Sequence, residues 1–145
     1  MTLDIRSLKI LLVEDCPAEA RLMKEVVRIS GHNCIINHVE NGVDALEYLD
    51  VWSKTVDIVL TDLNMPKMNG LELLKHIKTN DTLLRIPVAV LSTSVCQKDR
   101  DYCEMHGAIS YMAKPIDFDA YEKMIRSFLD LCMTLIFVPT KPLNR

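Results

Sequence analysis

Five short apolar runs punctuate the chain, at residues 9–13, 34–39, 57–61, 86–91 and 109–113. Most are continuous rather than alternating, the pattern of strands covered on both faces. Between them the apolar residues switch to helical spacing. Ala18, Leu22, Val26 and Ile29 recur at i, i+4, i+8 and i+11, and Gly31 follows as a C-terminal stop. Val43, Leu46 and Leu49 mark a second helix, and Leu71, Leu74 and Ile77 a third. Residues 97–106 form a fourth, closed by Gly107. Asp117 is the expected N-cap of a fifth, with Tyr121, Met124, Phe128 and Cys132 inside it.

Strict alternation of strand and helix, repeated five times, predicts a parallel sheet with right-handed crossovers. The usual five-stranded solution is the flavodoxin-like (βα)5 arrangement, a doubly wound α/β sheet in strand order 2-1-3-4-5. A length of 145 residues fits one domain around a sizeable core. No repeat, low-complexity segment or linker divides the chain. The net charge of −3 gives no reason to recruit nucleic acid or an anionic membrane. The five cysteines are odd in number and form no CxxC pair, which suits a reducing compartment. No signal peptide precedes Lys9, and the longest uncharged stretch, residues 131–140, is too short to span a bilayer. The expectation is a soluble, cytoplasmic protein.

In such a sheet ligands bind outside the carboxyl ends of the strands, at the switch between strands 1 and 3. Strand 1 ends in Glu14-Asp15. Strand 3 ends in Asp62, and the loop formers Asn64, Pro66, Asn69 and Gly70 follow it. Strand 4 ends in Ser92-Thr93 and strand 5 in Lys114-Pro115. Strand 2 carries nothing of note before the Asn41-Gly42 turn. Three carboxylates on adjacent strand ends repel one another unless they keep their protons or share a cation. A donor set of carboxylate oxygens favours a hard ion, Mg²⁺ before Zn²⁺. The lysine and the hydroxyl then form the anion side of the site. Cation, carboxylate nucleophile, lysine and hydroxyl together make a phosphoryl-transfer apparatus, which works by positioning and charge neutralisation. Taken singly, each residue has an ordinary explanation as a cap, a strand-end hydroxyl or a surface charge. Four strand ends on one edge are harder to explain that way.

These residues also carry a resemblance. With Leu12-Val13-Glu14-Asp15, then Thr61-Asp62-Leu63-Asn64-Met65-Pro66 and Gly70, then residues 87–92 and Tyr111-Met112-Ala113-Lys114-Pro115, the chain resembles the receiver domain of two-component response regulators. The likeness runs from Lys9 to about Leu129. It implies that Asp62 is the phosphoacceptor, taking a phosphoryl group from the histidine of a partner kinase. It implies Mg²⁺ held by Asp15, Asp62 and the backbone carbonyl of Asn64, with Glu14 acting largely through water. Ser92 and Lys114 would each bind a phosphoryl oxygen. Tyr111 would be the rotating aromatic that reports the position of Ser92 on the outer face of strands 4 and 5. The Lys114–Pro115 peptide is expected to be cis, because X-Pro bonds carry only a small trans preference and a tight turn must aim Lys114 into the site. Two positions depart from the commonest pattern. Asn69 stands where many receivers have Asp, and Thr93 places a β-branched side chain beside the expected phosphate.

A narrower likeness lies in residues 127–139, "SFLDLCMTLIFVP", which are similar to the tail of single-domain regulators partnered with bacterial phytochromes. It divides the chain into a receiver domain, 1–130, and an extension, 131–145, expected to act as a dimerisation arm. The implied protein is a stand-alone, homodimeric signalling module and not an enzyme, with at most self-phosphorylation and self-dephosphorylation activity. Two other classes compete. An aspartate-nucleophile phosphohydrolase needs a second acid two residues after the nucleophile as general acid, and that position is Asn64. A degenerate receiver used as a scaffold is opposed by the intact set Glu14, Asp15, Asp62, Ser92 and Lys114. His76 reads as a surface residue of an amphipathic helix, and Cys16 as a thiol kept protonated by the neighbouring acids.

Overall fold

A computed structural model describes residues 6–137. The elements are β1 (Leu8–Val13), α1 (Pro17–Ser30), β2 (Cys34–Val39), α2 (Gly42–Trp52), a single 3-10 turn (Ser53–Thr55), β3 (Ile58–Thr61), α3 (Gly70–Lys78), β4 (Val88–Ser92), α4 (Gln97–Met105), β5 (Ser110–Ala113) and α5 (Phe118–Phe137). The five strands are parallel, in the order β2-β1-β3-β4-β5. This is the flavodoxin-like order expected from the alternation.

Two cores lie on the two faces of the sheet. Ile10 and Leu12 of β1, Ile58 and Leu60 of β3, and Ala89 and Leu91 of β4 face α1 and α5. Their neighbours Leu11, Val13, Val59, Val88 and Val90 face α2, α3 and α4. Every residue of β3 and β4 is buried, which is why those runs show no alternation. Each fully buried Leu or Ile side chain contributes about 2 kcal/mol through removal of apolar surface from water. Strand β2 differs from the expectation of two covered faces. Cys34 and Ile36 pack against the α1/α5 core, whereas Ile35 is 47% exposed. As an edge strand, β2 leaves Ile35 and Asn37 outside the helical layer, while Val39 on the same face still packs against the α2/α3 side.

Local chemistry sets the helix ends. Pro17 opens α1, where its missing N–H costs nothing, and Gly31 closes it in the left-handed region at φ 79°. Asn69 and Glu72 form a reciprocal capping box on α3: Glu72 N donates to Asn69 Oδ1 at 2.9 Å and Asn69 N donates to Glu72 Oε1 at 3.3 Å. The departure to Asn at position 69 therefore keeps the capping group. Asp117 caps α5 as expected, its Oδ2 accepting from Ala120 N at 3.0 Å. Strand β4 begins at Val88 rather than at residue 86, because Pro87 has no N–H to give to the ladder; its carbonyl accepts from Val59 N at 2.9 Å.

Helix α5 is the longest element, 20 residues, and it runs without a break through the boundary expected after Asp130. Cys132 in that stretch is buried, and Ile136 and Phe137 pack against the α1/α5 core. Leu131 and Leu135 point outwards, 51% and 65% exposed. Val138 and Pro139, which complete the tail motif, lie outside the described residues. Among the described residues no helix is long and apolar enough to cross a membrane.

Candidate functional site

Register brings the acids together. Val13 pairs with Thr61, so Glu14 and Asp62 leave neighbouring strands at the same level, and Asp62 N donates to Val13 O at 3.0 Å. Carboxylate oxygens of Glu14, Asp15 and Asp62 all lie within 4.8 Å of one another. Asp62 Oδ1 accepts from Leu63 N at 2.7 Å, and the Asn64 N–H also donates to this carboxylate. The start of α3 is pressed onto the same strand end. A Cβ on Gly70 would stand 2.1 Å from the Asp62 carbonyl oxygen, so this position tolerates no side chain. Lys67, in the loop between, holds a left-handed φ of 65°, a strained conformation for a residue with a side chain.

Lys114, at the end of β5, reaches Asp62 from two strands away and Glu14 from three. Its backbone N–H donates to Ser92 O at 2.8 Å, and its Nζ lies 3.0 Å from Glu14 Oε1 and 3.8 Å from Asp62 Oδ2. The lysine side chain is only 8% exposed. Burial raises the pKa values of both Glu14 and Asp62, and the Lys114 ammonium only partly offsets this. Burial pulls Lys114 the other way, but Asp62, Glu14 and Glu19 together lift it above its ordinary value. The acids are thus short of positive charge, one buried ammonium against three clustered carboxylates. That all-oxygen donor set fits a hard divalent cation such as Mg²⁺.

Among the described residues no peptide bond is cis, so the Lys114–Pro115 bond is trans, which corrects the cis expectation. The Lys114 N–H bond to Ser92 O keeps the strand end in the ladder, and the four-carbon side chain covers the distance to Glu14. The turn therefore does not have to reverse the chain to aim the ammonium, and the ordinary trans preference prevails.

Ser92 is fully buried and Tyr111 nearly so. The Ser92 Oγ accepts from Ser94 N at 3.1 Å, and the Ser94 carbonyl accepts from Tyr111 Oη at 3.0 Å. Tyr111 belongs to the core beneath α4, with the Arg100 guanidinium 5.0 Å from its ring centroid. Thr93, by contrast, is exposed and lines a surface cleft of about 340 Å³ with Lys114, Pro115 and Ile116.

The chain matches the response regulator receiver domain over residues 10–126. It belongs to that family. Among curated relatives, response regulator Rcp1 of Synechocystis is 35% identical over 139 residues, covering 90% of this chain and 92% of that one. Two-component response regulator ARR17 of Arabidopsis thaliana is 32% identical over 127 residues, covering 81% of this chain and 82% of its own. The crystal structure of the phosphorylated cyanobacterial phytochrome response regulator RcpA superposes with a TM-score of 0.79 at 30% identity, covering 95% of this chain and all of that one. That of the Mn²⁺-bound form of Rcp1 gives 0.76 at 31%, covering 93% and 99%. Receiver domains are signalling modules of two-component systems, phosphorylated by sensor histidine kinases.

Three residues of this receiver domain were not singled out by the sequence. Ser94 ties the site to α4: its Oγ donates to Asp99 Oδ2 at 2.6 Å and accepts from Cys96 N at 3.2 Å. His38, near the end of β2, donates from Nε2 to the Glu14 carbonyl at 2.7 Å, so the strand read as carrying nothing does brace the acid loop. Glu19 lies 4.0 Å from Lys114 Nζ. Helical phase gives a signal only for Glu19, in the first turn of α1 beside the strand ends.

Proposed function

We propose that this receiver domain accepts a phosphoryl group on Asp62 from the histidine of a sensor kinase. The observation that carries the reading is the convergence of Glu14, Asp15, Asp62 and Lys114 at one edge of the sheet, with Ser92 on the neighbouring strand end. An Asp62 oxygen attacks phosphorus, the bond to the donor imidazole breaks, and the imidazole keeps a proton. Mg²⁺, held by Asp15, Asp62 and the Asn64 carbonyl with Glu14 behind them, would neutralise the acids and the phosphoryl oxygens. Lys114 and Ser92 each bind a phosphoryl oxygen. Ser92 would donate its hydroxyl to that oxygen, and drawing its Oγ towards the phosphate strains the bond it accepts from Ser94 N and loosens the loop whose Ser94 carbonyl accepts from Tyr111 Oη. The signal is then a changed surface of α4, β5 and α5.

The likeness to the phytochrome response regulator RcpA supports a phytochrome kinase as the donor; a cytoplasmic location is supported by the free-cysteine pattern of the sequence. The exposed Leu131 and Leu135 on the last turns of α5 support a two-fold dimer through the α4, β5 and α5 face, with the extension from residue 131 as its arm. Amide NMR spectra with Mg²⁺ and beryllofluoride, a phosphoryl mimic, test the reading. We expect shifts at Asp62, Ser92 and Lys114 that spread to Tyr111 and α4 and vanish in EDTA. Shifts confined to exposed loops, or unchanged by Asp62→Asn, contradict it.

A further inference from the structure

Lys114 is approached by three acids, and one of them does not belong to the strand ends. Its Nζ lies 3.0 Å from Glu14 Oε1, 3.8 Å from Asp62 Oδ2 and 4.0 Å from Glu19 Oε1. Glu19 comes from the first turn of α1 and stands outside the oxygen cluster formed by Glu14, Asp15 and Asp62. It therefore serves the lysine rather than a cation. At 4.0 Å the contact is one of charge with charge, while the hydrogen bond goes to Glu14. Glu19 is also the more exposed partner of the two. Its side chain is 36% exposed against 7% for Glu14, and with Lys114 it lines the cleft of about 340 Å³ that opens beside Pro115.

We propose that Glu19 is a positioning residue that restrains Lys114. With Glu14 it holds the ammonium in the unphosphorylated state, and an arriving phosphoryl group must draw the lysine away from both carboxylates. Glu19 thereby sets how readily the site takes up and keeps the phosphoryl group. The assignment depends on Asp62 being the phosphoacceptor and adds a regulator to that site.

Glu19→Gln removes the charge and keeps the shape. In calorimetric titrations with Mg²⁺ present, the variant should bind beryllofluoride roughly twofold to fivefold more tightly than wild type, the scale of a partly exposed ion pair. The gain should shrink in high salt, which screens that pair. In a Lys114→Met background the same substitution should change little. A second readout needs no Lys114 variant: in the ion-free protein, Glu19→Gln should speed acetylation of Lys114 by acetic anhydride, followed by peptide mass. Equal beryllofluoride affinity in wild type and variant, an equal gain with and without Lys114, or unchanged labelling overturns the role of Glu19 alone. A wild-type protein that binds no beryllofluoride overturns both this role and the phosphoacceptor reading.

Discussion

Lys114 Nζ and Glu14 Oε1 lie 3.0 Å apart across 100 positions of sequence, and both side chains are buried. The lysine is thus parked on the acid of β1, 3.8 Å from Asp62, at the moment before any phosphoryl group arrives. Removing one partner of a buried pair leaves the other uncompensated. Lys114→Ala should therefore lower stability in EDTA by roughly 3 kcal/mol, read from urea unfolding. It should still allow Asp62 to be phosphorylated while uncoupling the event from α4, a coupling on the order of 1–3 kcal/mol. Wild-type shifts at Tyr111 with beryllofluoride in the variant would contradict this.

Asp62 works against the fold that holds it. Burial raises its pKa, with Asp15 adding to the effect, so the folded state binds its proton more tightly than the unfolded chain does. Stability contributed by that proton is present at low pH and lost as pH rises from the ordinary carboxylate range through the raised value. Asp62→Asn should consequently stabilise the ion-free protein at neutral pH by about 1 kcal/mol. The gain should fade at acid pH and be offset in wild type by millimolar Mg²⁺. Thermal melts across pH, with and without EDTA, check both.

Gly70 is required by contact rather than by backbone freedom. A methyl group there would collide with the Asp62 carbonyl at 2.1 Å and also meet Leu63 Cα at 3.0 Å. Gly70→Ala should cost roughly 2 kcal/mol, as overpacking against unyielding backbone does. It should also displace Asp62, so that Mg²⁺ affinity falls together with the unfolding midpoint. A variant with wild-type Mg²⁺ affinity would show that the two segments separate freely.

Cutting the chain after Asp130 would remove buried Cys132 and the packing of Ile136 and Phe137, so it would damage the fold as well as any interface. Leu131→Glu with Leu135→Glu is the cleaner variant, since both side chains are more than half exposed. Wild type should dimerise in a light-scattering dilution series, and the double variant should be monomeric at tens of micromolar with little change in melting temperature. Equal dimerisation by both would place the interface elsewhere.

Strand and helix order was legible because each buried run and each helical stripe is a local pattern; the five strand ends then followed from topology. What escaped depends on partners far away in sequence. Ser94 looks like an ordinary loop serine until Tyr111 and Asp99 are folded against it. Glu19 is a first-turn acid, favourable to any helix N-terminus, until Lys114 arrives from β5. Strand β2 reads as an apolar run because Ile35 and Ile36 are adjacent, yet only one of them meets a helix layer. Cys132 was legible as part of the last helix, but its outward leucines alternate with residues that still pack on the core, so the sequence could not show how far that packing continues beyond Asp130.

The most direct test is intact mass after incubation with Mg²⁺ and acetyl phosphate, a small-molecule phosphodonor. The account predicts the gain of one phosphoryl group in wild type, none in Asp62→Asn, and none in excess EDTA. A phosphoryl gain that persists in Asp62→Asn, or that appears equally in EDTA, would contradict it.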